Sequence, residues 1–560
     1  MRTPMEMGLP EKFYSDPARW AGQYEIMQNI AGSLIGGKDV FLLDAPTGVG
    51  KSVIGAGTAR EMADAHVLDE VISRLRNEEI ELPAFRCIYL TRTKQLQDQL
   101  VDDFYHKPGA RTIKGRKNYV CLKYENNFPK ITAEDCTAKR KGESQDGRGG
   151  ECKFFDSCPY RLAKKEAAMS RLAVLNCSYF LAEANGPGWF SKSTLLICDE
   201  IDVLEGELMS HIQLTISNSQ LDRFNVEPPK KKDQADVNKW VIWAANTGPL
   251  IEERAEKIEE RLSDRPERYW SDIDIELHKQ AAKMHAFVEK LKMFVSDVRE
   301  DWIFYEEEDQ HHDIRWVFKP VIVSPYMDKY FSRHAKKVLG MSGTILDPGM
   351  MAGDLGLPSY GYKRMDCPFP LKNRPIYYRP VANLTRATME TELPKTLAEA
   401  SAIIDHHAGD KILVHATSYA IRDYMMQNLP QKARLITHDS ENRNEKLEEF
   451  KASSDPLVMV SPSFDRGVDL PDDLCRAVII CKVAYPSMGD PQVKARMEMP
   501  GGNKWYLLRT MQTVMQMTGR GVRSMSDFCS SYILDHQFSR LLGQTSAWVP
   551  GWWRQAIIHD

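Results

Sequence analysis

The segment from Ala45 to Ser52 constrains the fold of this chain more than any other part of its sequence. Its residues are Ala45, Pro46, Thr47, Gly48, Val49, Gly50, Lys51 and Ser52, and they follow the apolar run 40–43. Glycines here let backbone N–H groups surround phosphate oxygens, while the lysine contacts the outer phosphates and the serine hydroxyl coordinates Mg²⁺. The segment therefore predicts a strand, a phosphate-binding loop and a helix that hold a nucleoside triphosphate, which we take as ATP, with Mg²⁺.

The acidic half of such a site is expected where an apolar strand ends in carboxylates. The run 194–198 leads directly into Asp199 and Glu200. One acid can hold Mg²⁺ through its water shell, and the next can orient or deprotonate the water that attacks the terminal phosphate. We assign Asp199 to the metal, together with Ser52, and Glu200 to the water.

Short apolar runs separated by longer stretches of helical or mixed pattern predict an α/β fold with mostly parallel sheets. These runs are 40–43, 87–90, 195–198, 412–414, 457–460 and 477–481. Because the last three come long after the phosphate-binding loop, we assign them to a second sheet in a second α/β domain. Between the two groups, apolar residues repeat at helical spacing over 250–262 and 277–298, which predicts two packed helices in an insertion.

Composition leaves the class of partner open. A formal net charge of −4 over 560 residues argues against a protein that coats nucleic acid nonspecifically, so a nucleic-acid path would be a local basic groove. No apolar stretch reaches the roughly 18 residues that span a bilayer, and the first residues lack a signal-peptide core. We therefore expect a cytoplasmic protein without membrane contact. An odd number of cysteines, 11, does not suggest a disulfide framework.

Four of these cysteines lie in a segment rich in lysine, arginine and aromatic residues. Cys121, Cys136, Cys152 and Cys158 follow the spacing C-x14-C-x15-C-x5-C. Four thiolates can enclose a zinc ion or an iron–sulphur cluster, and this spacing lacks the C-x2-C knuckles that are common in zinc ribbons. The spacing predicts a metal site with four thiolates and leaves the choice between the two metals open.

Several further motifs occur in a fixed order along the chain. They are Gln23, the segments 44–52, 89–97, 114–121 and 158–160, the pair Asp199-Glu200, and the segments 342–344, 463–469 and 516–523. In this order they resemble the XPD/DinG family of superfamily 2 helicases, whose first motor domain carries an inserted [4Fe-4S] cluster. The resemblance covers nearly the whole chain, and the ordered set is far more specific than any single motif.

The resemblance implies an ATP-dependent helicase that moves along single-stranded DNA from 5' to 3' and unwinds forked or hybrid duplexes. It implies that Cys121, Cys136, Cys152 and Cys158 hold the cluster, and that Gln23, Gly467 and Asp469 belong to the nucleotide site. Two RecA-like motor domains would then carry a cluster domain and a helical, Arch-like insertion, and we expect a monomer. The expected divisions are 1–107, 169–205 and 320–346 for motor domain 1, 108–168 for the cluster, 206–319 for the Arch-like insertion and 347–560 for motor domain 2.

Three polar residues near the end of the second motor domain follow the pattern Gln-x-x-Gly-Arg-x-x-Arg. Arg520 and Arg523 look like arginine fingers, which stabilise charge on a transferring phosphoryl group, and Gln516 would approach the terminal phosphate or the attacking water. Since these groups would reach the phosphates only when the two domains close, ATP binding would favour closure and hydrolysis would release it.

Ten further residues are candidates for contact with a nucleic-acid strand. Hydroxyl and cationic side chains suit phosphate oxygens, and cations beside an aromatic ring suit an unpaired strand. The candidates are Thr91, Arg92, Lys94, Lys114, Arg116, Lys117 and Tyr119 in the first half of the chain, and Thr417, Ser418 and Ser463 in the second.

Two positions depart from the family pattern. Asp202 stands where the family's acidic box ends in histidine, and Arg466 stands where similar proteins usually carry an acid. Neither change replaces a metal-binding or water-positioning carboxylate, so ATP hydrolysis should be retained. The coupling of hydrolysis to movement along the strand is in question. A translocase or remodeller that does not separate strands, and an ATP-switched DNA-binding scaffold, are the alternative functions.

Overall fold

The computed structural model describes residues 1–560 except 15, 76–84, 93, 105–108, 124–130, 137–151, 153, 264–269, 310, 465–467, 469 and 560. Its strands are β1 (Val40–Asp44), β2 (Cys87–Thr91), β3 (Ala110–Thr112), β4 (Leu172–Asn176), β5 (Ser193–Asp199), β6 (Leu214–Ser217), β7 (Trp302–Glu308), β8 (Ile314–Pro320), β9 (Ala335–Ser342), β10 (Tyr360–Arg364), β11 (Ile376–Ala382), β12 (Ile412–His415), β13 (Leu435–Thr437), β14 (Val458–Ser461), β15 (Ala477–Ile480), β16 (Ser530–Asp535) and β17 (Ile557–His559).

The α-helices connect these strands and cover the sheets. They are α1 (Pro17–Ile35), α2 (Lys51–Leu75), α3 (Lys94–Phe104), α4 (Pro159–Met169), α5 (Cys177–Asn185), α6 (Leu204–Ile212), α7 (Asn218–Phe224), α8 (Val237–Ser263), α9 (Asp272–Asp297), α10 (Met327–Tyr330), α11 (Pro348–Leu355), α12 (Met389–His406), α13 (Tyr419–Asn428), α14 (Arg443–Ala452), α15 (Pro491–Glu498), α16 (Gly502–Thr518), α17 (Gln537–Thr545) and α18 (Gly551–Arg554). None of the helices in the described part of the chain has both the length and the apolar character needed to cross a membrane.

Two seven-stranded sheets form the framework, and all their strand pairs are parallel. The strand order is β10-β1-β9-β5-β2-β4-β3 in the first sheet and β13-β14-β12-β15-β16-β11-β17 in the second. Central strands such as β1 are buried along their whole length, because helices cover both faces of a parallel sheet. This confirms the predicted α/β fold with two RecA-like units, which we call lobe 1 and lobe 2, and all six predicted strands are present.

The insertion between β5 and β9 is only partly helical. Helices α8 and α9 pack against each other as predicted, with Trp240, Ile251, Ala281 and Leu291 among their buried residues. The insertion also contains an antiparallel sheet in the order β6-β8-β7, which the sequence interpretation missed. Its strands are short, and one of them, β7, ends in consecutive glutamates that masked the alternation of apolar residues.

Two expected domain limits differ from the sheet that the structure forms. Strand β3 falls in the expected cluster domain, yet it pairs with β4 in the first sheet. Strand β10 lies beyond the expected end of motor domain 1 at residue 346, yet it pairs with β1 along its whole length. Both are edge strands added by long-range pairing, which local periodicity does not report.

Candidate functional site

The phosphate-binding loop lies where β1 ends and α2 begins, as predicted. Gly48 and Gly50 have φ values of +85° and +90°, a region that residues with a Cβ atom rarely adopt. A Cβ atom on Gly50 would lie 2.4 Å from Gln23 Nε2. Both the backbone conformation and the packing therefore require glycine at this position.

Two side chains of α1 donate hydrogen bonds to backbone carbonyls of the loop. The Gln23 amide donates to the Val49 carbonyl at 2.7 Å, and the Arg19 guanidinium donates to the Gly48 carbonyl. The backbone N–H of Ala45 donates to the carbonyl of Ser342 at 2.8 Å. The structure thus places Gln23 against the loop, where it positions the backbone that would meet phosphate.

The predicted catalytic cation and acids meet beside this loop. Lys51 Nζ lies 3.4 Å from Glu200 Oε1, and Asp199 accepts a hydrogen bond from the Tyr89 hydroxyl at 3.3 Å. Glu200 has a left-handed backbone with φ of +59°, a strained conformation that occurs often at functional sites. The structure thus brings Lys51 and Glu200 together, and their roles in hydrolysis stay predictions.

Electrostatics within this group are strongly coupled. Burial raises the pKa of Asp199 to about 6, while the charge of Lys51 and the hydrogen bond from Tyr89 oppose that rise. Burial also acts to lower the pKa of Lys51, but the charges of Glu200 and Asp199 outweigh it, and this pKa lies above its usual value. A divalent cation next to Asp199 would favour the ionised carboxylate.

Lobe 2 contacts the phosphate-binding loop directly. A Cβ atom on Gly48 would lie 3.3 Å from the Cα atom of Arg523, and one on Gly519 would lie 3.8 Å from the Thr47 hydroxyl. The segment that contains Arg520 and Arg523 therefore faces the loop that contains Lys51, across the seam between the lobes.

The three predicted residues of this segment are held in place by hydrogen bonds. Gln516 Nε2 donates to Thr344 Oγ1 in lobe 1 at 3.0 Å. Arg520, which is 6% exposed, donates to the Val468 carbonyl at 3.0 Å, and Arg523 donates to the Gly519 carbonyl at 2.8 Å. Gln516 is therefore a direct polar link between the lobes.

Asp202 is part of the same link. Its carboxylate accepts hydrogen bonds from Ser342 Oγ at 2.7 Å and Thr344 Oγ1 at 3.3 Å, and it is 3% exposed. Because Thr344 also binds Gln516, a continuous polar chain runs from the acidic box to lobe 2. The aspartate that replaces the family's histidine thus contacts the segment 342–344 itself.

Ion pairs strengthen the seam beyond the nucleotide site. Arg509 on α16 lies 2.8 Å from Glu205, and Lys319 on β8 of the insertion lies 3.3 Å from Asp490 of lobe 2. Two further pairs join Arg496 to Asp354 and Lys504 to Asp347. None of these contacts followed from the sequence, because each joins residues that are far apart along the chain.

The strand-contact candidates of lobe 1 have different environments. Arg92, Lys94, Arg116 and Lys117 are exposed, whereas Thr91 is 1% exposed at the end of β2. The Lys94 amine donates to Asn118 Oδ1 at 2.7 Å, and Lys114 pairs with Asp98 at 2.7 Å.

The ring of Tyr119 packs against its neighbours more closely than a ring that is free to stack with a base. Its ring makes an edge contact with Tyr160 at 5.6 Å, and its hydroxyl accepts a hydrogen bond from the Lys114 backbone at 3.1 Å.

In lobe 2, Thr417 and Ser418 line a cavity of about 500 Å³. Thr417 has φ of +59°, Ser418 caps α13 by accepting from the Ile421 N–H at 3.3 Å, and Ser463 is exposed near the end of β14. Thr417 and Ser418 therefore share one concave surface, and their contact with a strand stays a prediction.

Four further residues of this cavity were missed in the sequence. Lys482 and Arg540 supply cations, and the rings of Tyr485 and Tyr506 stack at 5.5 Å with an interplanar angle of 23°. A lysine followed by a tyrosine directly after β15 was the available signal for two of them. Tyr506 and Arg540 come from α16 and α17, so only tertiary packing could place them here.

The four predicted ligand cysteines are near one another. Burial and the charges of Cys136, Cys152 and Cys158 raise the pKa of Cys121 to about 11, and Cys158 stands at the start of α4. Among the described residues, however, no three His, Cys, Asp or Glu side chains have the arrangement of a bound metal ion. The donor set fits a four-thiolate group in number and proximity, without a closed ligand geometry.

Gly467 and Asp469, which we predicted to contact the nucleotide, lie outside the described residues, as does Arg466. Their neighbour Val468 is described, and its carbonyl accepts the hydrogen bond from Arg520.

Comparisons with known proteins agree with this architecture. Residues 401–556 match a helicase C-terminal domain. The ATP-dependent DNA helicase CHL1 of Vanderwaltozyma polyspora is 25% identical in an alignment 142 residues long, which covers 21% of this chain and 17% of that protein. The human regulator of telomere elongation helicase 1 is 30% identical in an alignment 119 residues long, which covers 19% of this chain and 10% of that protein. The matches thus cover less than a fifth of these relatives' own length.

A solved XPD helicase has the same fold over nearly the whole molecule. Its TM-score is 0.60 at 15% identity, and the alignment covers 96% of this chain and 99% of that chain. Together with the helicase C-terminal domain and the ordered motifs, this makes the chain similar to the XPD/DinG-like helicases in fold and in its second lobe.

Proposed function

We propose that this chain is an ATP-dependent motor that moves along single-stranded DNA from 5' to 3' and separates forked or hybrid duplexes. The observation that carries the proposal is the seam between the lobes. Lobe 1 has the phosphate-binding loop with Lys51 beside Glu200, and the lobe 2 segment that includes Arg520 and Arg523 contacts that loop through Gly519 and Arg523.

Each side of the seam would have its own part in hydrolysis. Lys51 would bind the outer phosphates, Ser52 and Asp199 would hold Mg²⁺, and Glu200 would orient the attacking water. Arg520 and Arg523 would stabilise charge on the transferring phosphoryl group from lobe 2. Since catalysis would need both lobes, opening and closing of the seam would follow the state of the nucleotide.

A strand would move if both lobes bind it and if opening or closing of the seam changes the distance between the two binding sites. The lobe 2 cavity offers hydroxyls from Thr417 and Ser418, cations from Lys482 and Arg540, and the stacked rings of Tyr485 and Tyr506. Cations beside aromatic rings suit single strands of any sequence. Exposed Arg92, Lys94, Arg116 and Lys117 would supply contacts in lobe 1.

Cys121, Cys136, Cys152 and Cys158 would hold the [4Fe-4S] cluster of this family. When bound, the cluster would act as a covalent link between distant parts of one segment. The role we assign to it is structural, because none of the four cysteines lies among the groups at the seam.

Strand displacement tests the proposal directly. Duplexes with a 5' tail, a 3' tail or no tail, made of DNA, RNA or a DNA:RNA hybrid, would be incubated with the protein with and without ATP. We expect separation only with ATP and with a 5' DNA tail. ATP hydrolysis stimulated by DNA but without separation of any duplex would instead indicate a translocase, and ATP-dependent binding without hydrolysis would indicate a scaffold.

Replacing Asp202 with alanine should lower DNA-stimulated ATP hydrolysis and strand separation more than ATP hydrolysis without DNA. The change removes the acceptor for Ser342 and Thr344, and so frees the residue that positions Gln516 in the other lobe. We expect DNA-stimulated hydrolysis and strand separation to fall about tenfold or more, on the scale of one or two lost buried hydrogen bonds, while hydrolysis without DNA changes little.

The matched control is Lys504→Ala, which removes the ion pair with Asp347 at the same seam and does not alter Asp202, Thr344 or Gln516. An equal loss of basal and DNA-stimulated hydrolysis in Asp202→Ala would contradict a coupling role. The conservative variant Asp202→Asn retains one acceptor and should recover part of the stimulation.

Replacing Cys158 with serine should lower the iron content and strand separation together. We expect wild-type protein purified without oxygen to contain iron and sulphide in equal amounts, and Cys158→Ser to lose most of both. Its separation activity should fall further than its ATP hydrolysis, since the cysteines are away from the seam.

Cys367→Ser is the control, because Cys367 is half-buried outside the four-cysteine segment. Stoichiometric zinc without iron in the wild-type protein would refute the cluster, and an equal loss of hydrolysis and separation in Cys158→Ser would indicate a general folding role.

A further inference from the structure

A buried ion pair joins the root of the phosphate-binding loop to the point where the chain leaves lobe 1. Asp44 is the last residue of β1, directly before the loop, and its side chain is 3% exposed. Arg364 is the last residue of β10, directly before residues 365–375, which lead to β11 in lobe 2. Asp44 and Arg364 are register partners in the parallel pair of β1 and β10. Residues 365–375, which we call the interlobe linker, therefore begin beside the root of the loop.

The guanidinium of Arg364 donates to three acceptors at once. Its Nε lies 2.7 Å from Asp44 Oδ2, and its Nη2 donates to the carbonyls of Ile345 and Leu346 at 3.0 and 2.9 Å. A guanidinium presents its donors in a rigid, planar fork, whereas a lysine amine is a single point charge on a flexible stem. A lysine at this position would keep the charge and lose this arrangement of donors.

Backbone hydrogen bonds connect Asp44 to the same two places. The N–H of Met365, the first linker residue, donates to the Asp44 carbonyl at 2.8 Å. The N–H of Ile345 donates to Asp44 Oδ1 at 3.3 Å. Ile345 directly follows Thr344, which binds Gln516 of lobe 2. Asp44 is thus bonded both to the start of the linker and to the segment of lobe 1 that contacts lobe 2.

The linker meets the phosphate-binding loop a second time, at Phe369. A Cβ atom on Gly48 would lie 2.9 Å from two ring carbons of Phe369. Phe369 is 4% exposed and packs in the hydrophobic core of lobe 2. The linker therefore contacts the loop at its root, through Asp44, and again within the loop, at Gly48. Because interiors are closely packed, a shift of the loop would displace the linker as well.

We propose that Arg364 is a positioning residue for ATP hydrolysis, which fixes the start of the interlobe linker and the residues after Thr344 against the root of the phosphate-binding loop. It acts through Asp44 and through the backbone of residues 345 and 346, without contact with the nucleotide. A change of the loop between nucleotide states would then reach lobe 2 through the linker. This inference rests on the proposed motor function, since it assigns a residue to the closure of the lobes.

The charge of Arg364 also determines the pH at which Asp44 ionises. Burial raises the pKa of Asp44 to about 6, and the rise is opposed by Arg364 and Tyr362 of β10 and by the Ile345 N–H. Asp202 is a further acid, bonded to the residues just before Ile345. Loss of an opposite charge raises the pKa of a carboxyl by about one unit or more. Without Arg364, Asp44 would be protonated near neutral pH and would accept more weakly from the Ile345 N–H.

The test compares three variants that separate the charge of Arg364 from its fork. Arg364→Met removes both, Arg364→Lys keeps the charge, and Arg364→Met with Asp44→Asn also removes the titrating group. The matched control is Arg379→Met, the same change at an arginine of β11 that pairs with Glu399 at 3.2 Å. The measurements are kcat and KM for DNA-stimulated ATP hydrolysis from mildly acidic to mildly alkaline pH, equilibrium binding of a fluorescent ATP analogue, and thermal unfolding.

We expect Arg364→Met and Arg364→Lys to lower kcat about tenfold at alkaline pH, the effect of one or two lost buried hydrogen bonds. Binding of the ATP analogue should stay near the wild-type value, because Lys51 is intact. The fall of activity toward acid pH should begin about one pH unit or more higher in Arg364→Met, and at the wild-type pH in Arg364→Lys and in the double variant. Asp199, whose pKa is also about 6, is present in every variant, so only the shift relative to wild type reports on Asp44.

A kcat and a pH profile in Arg364→Met that match those of Arg379→Met would overturn the inference. An equal loss of activity at every pH would also overturn it, since that loss would mark a residue that only supports the fold. If Arg364→Met does not fold, Arg364→Lys decides, because a wild-type kcat in that variant would exclude a role for the fork. Failure of the proposed motor function is distinct, since the wild-type protein would then hydrolyse no ATP and both proposals would fall together.

Discussion

Replacing Arg520 with alanine is expected to lower the rate of DNA-stimulated ATP hydrolysis by about 10³-fold or more, the range observed when an arginine finger is lost. The loss should fall on kcat and leave ATP binding nearly unchanged, because Lys51, Ser52 and Asp199 all belong to lobe 1. Steady-state hydrolysis and equilibrium binding of a fluorescent ATP analogue would separate these two effects.

The fold must be checked in the same experiment. Arg520 is buried and donates to the Val468 carbonyl, so its removal leaves that acceptor unpaired at a cost of about 1–3 kcal/mol. Arg520→Lys keeps a charge but not the planar fork and should recover little turnover. Arg554→Ala removes an exposed arginine of lobe 2 and should behave as wild type. Turnover near the wild-type value in Arg520→Ala would refute the seam as the site of catalysis.

Replacing Lys51 with alanine is expected to lower hydrolysis by about 10²–10³-fold, the usual effect of losing one preorganised donor to a reacting group. In contrast to Arg520→Ala, this variant should also bind the ATP analogue more weakly, since Lys51 contacts the phosphates from the loop itself. Measuring both quantities in both variants distinguishes a residue that binds in lobe 1 from one that acts only when the lobes close.

Lys38→Ala is the matched control for this change, because Lys38 is exposed just before β1 and its amine donates to Ser359 Oγ at 2.6 Å. Thermal unfolding should show whether Lys51→Ala remains folded, since the change leaves Asp199 and Glu200 without the ammonium group of Lys51. Unchanged hydrolysis in Lys51→Ala would show that the phosphate-binding loop does not hold the hydrolysed nucleotide.

Local chemistry allowed the positions of the lobe 1 loop and acids in the fold to be predicted. The phosphate-binding loop, Lys51, and the acids at the end of β5 are set by which residues end a strand and begin a helix, and those preferences depend on neighbours in sequence. The six predicted strands and the two long helices of the insertion were found for the same reason, since periodicity reports which face of an element is buried.

Contacts between distant segments could not be predicted in this way. Asp202 was noted only as a departure from a pattern, whereas the structure gives it two hydrogen bonds to the segment 342–344 and, through Thr344, a connection to Gln516. Tyr506 and Arg540 reach the lobe 2 cavity from helices α16 and α17. The edge strands β3 and β10 join the first sheet by pairings that span much of the chain.

The amino-acid sequence by itself determined that this protein has two parallel-sheet lobes and a phosphate-binding loop with its acidic partner strand. Only the tertiary structure decided which groups of lobe 2 face that loop, how Asp202 connects the lobes, and which side chains line the lobe 2 cavity. The physical reason is that strands and loops follow from the conformational and burial preferences of adjacent residues, whereas the seam and the cavities depend on how whole elements pack.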